Sequence, residues 1–273
     1  MSSTVFDLSD RVVVVTGAAG LLGRRFATAA AEAGAHVVAA DLEPGPVEAL
    51  AWDLKERFGH DALGAAVDIT SPASVDALRD RILARFDRVD GLVNNAAIND
   101  MFEDPTAAAA LSRFEEYPLE LWRRSLDVNV TGTFLMCQRL GAVMAARGRG
   151  AIVNIGSTYG LVAPDQRLYL PPEGSQAFYK TAAYPAGKAA VLGLTRFVAA
   201  YWGARGVRAN VLSPGGVENG QDGWFVDAYA ERTPLGRMAR PDDYRGALVF
   251  LLSDASAYMT GANLVVDGGW TAW

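Results

Sequence analysis

The sequence predicts an α/β fold: a single doubly wound domain over residues 1–273, built on a mostly parallel sheet of about seven strands flanked by helices. Three observations predict it. Short apolar runs alternate with longer segments of helical character along the whole chain. The runs are apolar throughout rather than at every second position, so each strand is buried on both faces. No Gly/Ser-rich linker or shift in composition divides the chain, and strand–helix repetition then gives one parallel sheet with right-handed crossovers.

The elements follow in order. Arg11 to Thr16 is a β-branched strand closed by Gly17, and residues 20–33 form an Ala-rich helix ending at Gly34. His36 to Asp41 is the second strand, then a helix near 46–58, a strand near 63–68 and a helix near 72–86. Val89 to Val93 is a strand and roughly 119–147 one long helix. Gly150 to Ile155 is the next strand, followed by a helix from about 184 to 203, a strand Val207 to Leu212, a helix over 241–253 and a last strand Asn263 to Val266. Two long stretches, 99–118 and 158–183, follow strand ends. Ligands of open α/β sheets bind beyond the carboxyl ends of the strands, so both loops are expected on the substrate side.

Bulk composition narrows the function. The 273 residues are 51% apolar and 21% charged, an ordinary globular balance. A net charge of −6 argues against a nucleic-acid or anionic-membrane partner. Cys137 is the single cysteine and sits in an apolar helical pattern, so it reads as core filler. His36 and His60 do not form a metal-ligand spacing, and no metal is expected. The N-terminal residues lack a basic region followed by an apolar one, and no stretch has the length of a spanning helix. A cytoplasmic location is the expectation.

Gly17, Gly20 and Gly23 follow the first strand and open the first helix. Glycines there permit a tight turn and close approach of a pyrophosphate to backbone N–H groups at a helix N-terminus. Asp41, twenty-four residues after Gly17, ends the second strand. Its carboxylate suits an adenosine ribose 2′-OH and repels a 2′-phosphate, so NAD is expected over NADP. Arg24 and Arg25 just past the turn weaken that preference, although a solvated helix face explains them equally. Asp68 either caps the next helix through Ser71 or faces the adenine.

Tyr184 and Lys188 stand four residues apart with Ser157 upstream. Positions i and i+4 of a helix share a face, which brings the lysine ammonium towards the phenol. A free tyrosine titrates near ~10, and a fixed cation lowers that value towards useful acid–base exchange. Pro185 belongs in a first helical turn and pushes Tyr184 out of helical geometry, to the helix start.

In this order the motifs resemble the short-chain dehydrogenase/reductase superfamily of single-domain Rossmann enzymes. They are the glycine turn, Asp41, Asp68, Asn94-Asn95-Ala96-Ala97, Asn129, Ser157, Tyr184 with Lys188, Pro214-Gly215 and Val266-Asp267-Gly268-Gly269. The resemblance covers about Leu8 to Gly269. It implies NAD(H)-dependent hydride transfer between a secondary alcohol and a ketone, with Tyr184 as general acid/base. Lys188 would lower the tyrosine pKa and hold the nicotinamide ribose, Ser157 would bind the substrate oxygen, and Asn129 would organise a water-linked relay to Lys188. Gly17, Gly20, Leu22, Gly23, Asp41, Leu42, Asp68, Ile69, Asn95, Ala96, Ala97, Tyr184, Lys188, Pro214, Gly215 and Val217 would line the cofactor. Asn99, Ser157, Tyr159 and Arg167 would face the substrate. A homo-oligomer, tetramer or dimer, is implied as well.

The sequence departs from the family pattern in three places. Leu21 stands where single-domain members often have glycine, a spacing closer to the extended members that act on nucleotide sugars. Twenty-six residues separate Ser157 from Tyr184, longer than the family's usual spacing. The threonine expected after Pro-Gly is missing, with Asn219 or Gln221 as substitutes. The insertions and the Trp-Thr-Ala-Trp ending are similar to a subgroup acting in sugar metabolism and flagellin-glycan biosynthesis. A sugar, polyol or other hydroxylated small molecule is therefore the expected substrate. Two alternatives stand beside it: a nucleotide-sugar epimerase or dehydratase, and a non-catalytic NAD-binding regulatory protein. Only 85 residues follow Lys188, too few for the substrate domain of extended relatives.

Overall fold

All seven expected strands pair into one sheet in the order β3-β2-β1-β4-β5-β6-β7, and every pairing is parallel. The structure is a computed structural model that describes residues 5–99, 110–172, 174, 176 and 178–273. Asp100, Glu103, Asp104 and most of the alanine run in the first long loop, with Glu173 in the second, lie outside the described residues.

The strands are β1 (Val12–Thr16), β2 (His36–Asp41), β3 (Ala62–Ala66), β4 (Gly91–Asn94), β5 (Gly150–Ile155), β6 (Val207–Pro214) and β7 (Asn263–Val266). The helices are α1 (Leu21–Glu32), α2 (Pro44–Phe58), α3 (Pro72–Phe86), α4 (Leu119–Leu126), α5 (Thr133–Arg147), α6 (Ala183–Trp202), α7 (Gly223–Glu231) and α8 (Arg245–Leu252). None of the described helices is long and apolar enough to cross a membrane.

The apolar runs work as their pattern dictates. Successive side chains of a strand point to opposite faces. Val12 and Val14 of β1 therefore join Leu92, Ile152 and the helices α3 and α5 on one side of the sheet. Val13 and Val15 join Phe26 of α1, Leu50 of α2 and Leu248 of α8 on the other. Both faces are covered, so no polar alternation is needed. Cys137 is buried in the first core, and burial pushes its thiol up to about 12.

Four elements differ from the expectation. The long helix over 119–147 is broken by a π-helical turn, Asp127–Gly132, between α4 and α5. Such a turn widens the backbone ladder locally and commonly marks a functional position. α7 was not anticipated, because Gly220, Gly223 and the polar residues before it read as loop. The segment after Pro241 begins as a 3-10 turn, Pro241–Tyr244, and becomes α-helical only at Arg245. The third strand ends earlier than 68 because Asp68 Oδ1 accepts from the N–H and hydroxyl of Thr70, which turns the chain away. Ser71 Oγ, not Asp68, caps α3 by accepting from Ser74 N.

α6 is tied to the sheet by buried polar groups as well as by packing. Asn94 at the end of β4 donates to Asn154 Oδ1 of β5 at 2.7 Å. Asn154 Nδ2 then donates to Thr195 Oγ1 of α6 at 2.8 Å. A buried polar chain of this kind specifies one register between helix and strands. It holds the helix that carries Tyr184 and Lys188.

Candidate active site

The strand order reverses between β1 and β4, where chain connections leave to opposite sides and open a crevice. The glycine turn follows β1 there. Gly17 has φ +64°, and a Cβ on it would lie 2.7 Å from Ala96 Cα. A Cβ on Gly23 would lie 2.0 Å from the Gly17 carbonyl oxygen. Glycine is therefore required at both positions by close approach, and at Gly17 by backbone angle as well. Asn95 braces the turn from β4, donating its Nδ2 to the carbonyls of Thr16 and Gly17 at 3.0 and 3.1 Å. α1 starts after Gly20 with no capping side chain and no acidic residue in its first turn. Its leading N–H groups and the positive end of its dipole are available to an anion.

A groove of about 1140 Å³ runs over this turn. Gly17, Gly20, Leu22, Asp41, Leu42, Asp68, Ile69, Asn95, Ala96, Ala97, Asn99 and Val217 line it, as does Leu21. Gly23 lies beneath the turn, buried, and shapes it from below. Asp41 Oδ2 accepts from Ala19 N at 2.9 Å, and Oδ1 from Leu42 N at 2.8 Å. The carboxylate is thus fixed at the far end of the turn. Arg24 Nε donates to Ala19 O at 2.9 Å, while Arg25 leans towards Asp242 at 3.8 Å. These residues fit a dinucleotide: a glycine cradle that any Cβ would fill, an uncapped helix start for the pyrophosphate and a carboxylate for a ribose. A Gly17→Ala variant is expected to lose nucleotide affinity about tenfold or more, since alanine strains the backbone and meets Ala96. Fluorescence titration with NADH checks this.

The groove continues into a second cavity of about 310 Å³, with which it shares Leu22, Asn95, Ala97, Asn99 and Val217. Ser157, Tyr159, Tyr184, Lys188, Pro214 and Gly215 line this cavity. Ser157 stands two residues beyond β5 in extended backbone, and its Oγ accepts from Tyr159 N at 3.1 Å. Ser157 also hydrogen-bonds Tyr184. Pro185 lies in the first turn of α6, as expected. Tyr184, however, is already inside the helix, which begins at Ala183.

Lys188 is buried, with its Nζ donating to Ile155 O at 2.7 Å. Loss of solvation lowers its pKa from 10.5 to about 8. Its Nζ lies 5.7 Å from the Tyr184 ring centroid. The expected lowering of the tyrosine pKa is not what results. Burial raises the Tyr184 phenol above its ordinary value, and the Ser157 hydrogen bond only opposes this. Desolvation of the phenolate is the larger effect, and the nearby Lys188 ammonium is itself bound to the Ile155 carbonyl. Tyr184 is accordingly protonated at pH 7, ready to donate.

Asn129 sits in the π turn, buried, and both ends of its amide are engaged. Oδ1 accepts from Ile98 N, and Nδ2 donates to Ile98 O, each at 2.9 Å. Nδ2 also reaches Ser125 Oγ at 3.3 Å. Asn129 therefore fixes the 95–99 segment, which lines both the groove and the cavity. Gly187 brings α6 close to it, since a Cβ there would lie 3.3 Å from Asn129 Cβ.

Arg167 does not join the site. Its side chain is 80% exposed and forks onto Asp165 at 2.8–3.1 Å, a partner two residues away that draws it to the surface. Gln221 spends its amide on its own loop, donating to Val217 O and accepting from Asn219 N, although it borders the cavity. Sequence reasoning missed Lys180, Tyr169, Phe225, Tyr229 and Met238, which form the outer wall. Tyr229 stacks on Trp270 with centroids 4.1 Å apart, and Leu168 and Met238 complete this small core. Trp270 thus backs the cavity wall, while Trp273 stays exposed. Aromatic residues in the 158–183 insertion were a signal of packing. Nothing in the sequence showed that the unanticipated α7 would meet them.

A dinucleotide groove opening onto a buried serine and lysine with a half-buried tyrosine between them defines an oxidoreductase. Residues 17–271 match the family described as enoyl-(acyl carrier protein) reductase, and the chain belongs to the short-chain dehydrogenase/reductase superfamily. It is 42% identical over 272 residues to D-threitol dehydrogenase of Mycolicibacterium smegmatis, covering 97% of this chain and 95% of that protein. It is 38% identical to cis-4-hydroxycyclohexanecarboxylate dehydrogenase of Sinomonas cyclohexanicum, covering 97% and 98%. Among solved structures, a gluconate 5-dehydrogenase of Burkholderia cenocepacia, in complex with NADP and tartrate, superposes with a TM-score of 0.87. Sequence identity to it is 33%, and the match covers 100% of both chains.

Proposed function

We propose that the protein is an NAD-dependent dehydrogenase that interconverts a secondary alcohol of a polyol, or of another polyhydroxylated small molecule, with the corresponding ketone. The observation that carries this reading is the continuity of the Asp41-bounded groove with the cavity holding Ser157, Tyr184 and Lys188. A bound nicotinamide supplies the hydride acceptor or donor. Tyr184 exchanges the proton of the substrate oxygen, and Ser157 holds that oxygen while its charge changes. Lys188 places a positive charge beside the phenolate, and Asn129 positions the 95–99 segment through Ile98.

The preference for NAD is supported by the fixed carboxylate of Asp41, which would meet a 2′-phosphate as a like charge. Asp41→Ser is expected to lower the kcat/KM ratio of NAD over NADP by about tenfold or more, as loss of one charged hydrogen bond and one repulsion implies. Initial rates with both nucleotides check this. Self-association through α6 is supported by Phe197 and Tyr201, stacked 5.6 Å apart on its exposed face. Incubation with NAD and a panel of tetritols, glycerol, aldonates and simple alcohols tests the activity. Formation of NADH with polyhydroxylated members is the expected result, and its absence across the panel contradicts the reading.

A further inference from the structure

We propose that Lys180 and Asn99 form a paired reader for a hydroxyl vicinal to the reacting carbinol, which makes the enzyme select polyhydric over simple alcohols. This rests on the dehydrogenase reading above and concerns the same cavity. Lys180 ends the long insertion between Ser157 and Tyr184, and Asn99 follows the β4 segment. Both line the cavity that holds Ser157 and Tyr184. Lys180 is only 9% exposed, and its Nζ lies 4.8 Å from the Tyr184 ring centroid, nearer than Lys188.

The position of Lys180 is built. Gln166 accepts from Lys180 N with its Oε1 at 2.8 Å and donates Nε2 to Lys180 O at 2.9 Å. Gln176 in turn donates to Gln166 O at 2.9 Å. The adjacent Tyr179 N donates to Ser112 Oγ at 2.9 Å, which joins the two long loops. On the other side, Asn99 follows Ile98, whose N–H and carbonyl are both held by Asn129. Two independently braced segments therefore bring Lys180 Nζ onto Asn99 Oδ1.

The chemistry of this pair favours a hydroxyl. An ammonium has donors only, and the Asn99 oxygen facing it is an acceptor. A hydroxyl both accepts and donates, so it satisfies the two together. A carboxylate accepts from Lys180 but sets its oxygen against the Asn99 oxygen. An alkyl group bonds neither. Sites built to bond a substrate hydroxyl discriminate strongly against analogues lacking it. With the reacting oxygen on Tyr184 and Ser157, the oxygen one carbon further along is the one the pair reads.

The test compares 2,3-butanediol, 2-butanol and 3-hydroxybutyrate as substrates for the wild type, Lys180→Met and Asn99→Ala. NADH binding is followed in parallel to establish that each variant is folded. Wild type is expected to prefer the diol over 2-butanol by about a hundredfold or more in kcat/KM. In both variants that ratio is expected to fall towards one, because the diol loses far more than the mono-alcohol. An unchanged diol-to-butanol ratio in a variant that binds NADH overturns the proposal. So does a wild-type preference for 3-hydroxybutyrate that Lys180→Met alone abolishes, which would make Lys180 a carboxylate reader. If wild type oxidises none of the three and none of the wider panel, the dehydrogenase reading falls, and this inference with it.

Discussion

Tyr184→Phe is expected to lower kcat by about 10³-fold, within the range that a positioned acid–base group contributes, while NADH affinity stays close to wild type. The ring remains to fill the buried site, and only the hydroxyl is lost. That hydroxyl is the group bonded by Ser157 inside the cavity, and two lysine ammonium groups lie within 6 Å of the ring. Its neighbours cannot replace it. Tyr159 and Tyr169 bond each other at 3.3 Å, and burial pushes Tyr169 up to about 12 and Tyr159 further still. The same burial sets the pH dependence. Tyr184 titrates above the ordinary tyrosine value, so the phenol that donates a proton in ketone reduction is fully present at neutral pH. The phenolate that alcohol oxidation needs grows with pH. Oxidation rates are therefore expected to climb towards alkaline pH while reduction does not, as initial rates in both directions would record.

Lys188→Met is expected to abolish oxidation and at the same time stabilise the fold at pH 7 by about 2 kcal/mol. The folded lysine titrates at about 8 against 10.5 when solvated, so holding its charged form in the interior costs about 3 kcal/mol below pH 8. Leaving Ile155 O without its donor returns about 1 kcal/mol of that. The sign follows from proton binding. Between pH 8 and 10.5 the unfolded chain binds more protons than the folded one, so wild-type stability rises with pH through that window. The advantage of the methionine variant is then largest below pH 8 and vanishes above 10.5. Urea denaturation at pH 7 and pH 10 measures both values. A buried ammonium held on a carbonyl is kept at a cost in stability, and its use lies beside Tyr184.

The sheet was legible because its strands are apolar on both faces. Val12 to Val15 supply alternate side chains to two cores, and no other arrangement buries that run. The glycine turn was legible because Gly17 and Gly23 occupy positions where any Cβ collides with backbone. The π turn at Asp127–Gly132 was not, because its amphipathic pattern is continuous with the flanking helices. What distinguishes it is a tertiary bond, from Asn129 to Ile98, about thirty residues away in sequence. The same limit explains Arg167 and Lys180. Both are cations in one insertion, and sequence alone could not tell which would meet Asp165 at the surface and which Asn99 in the cavity. The direction of the Tyr184 shift was misjudged for a related reason. Spacing shows that a cation is near, whereas the opposing desolvation depends on how tightly the insertion and α7 close over the ring.

The most direct test follows the hydrogen itself. A polyhydroxylated substrate that supports turnover is prepared with deuterium on its reacting carbinol carbon and incubated with NAD. Proton NMR and mass spectrometry of the nucleotide should then show one deuterium at C4 of the nicotinamide ring for each ketone formed, and none with Tyr184→Phe. Deuterium that remains on the substrate, or that exchanges into solvent with no net NADH, would contradict hydride transfer and with it the dehydrogenase account.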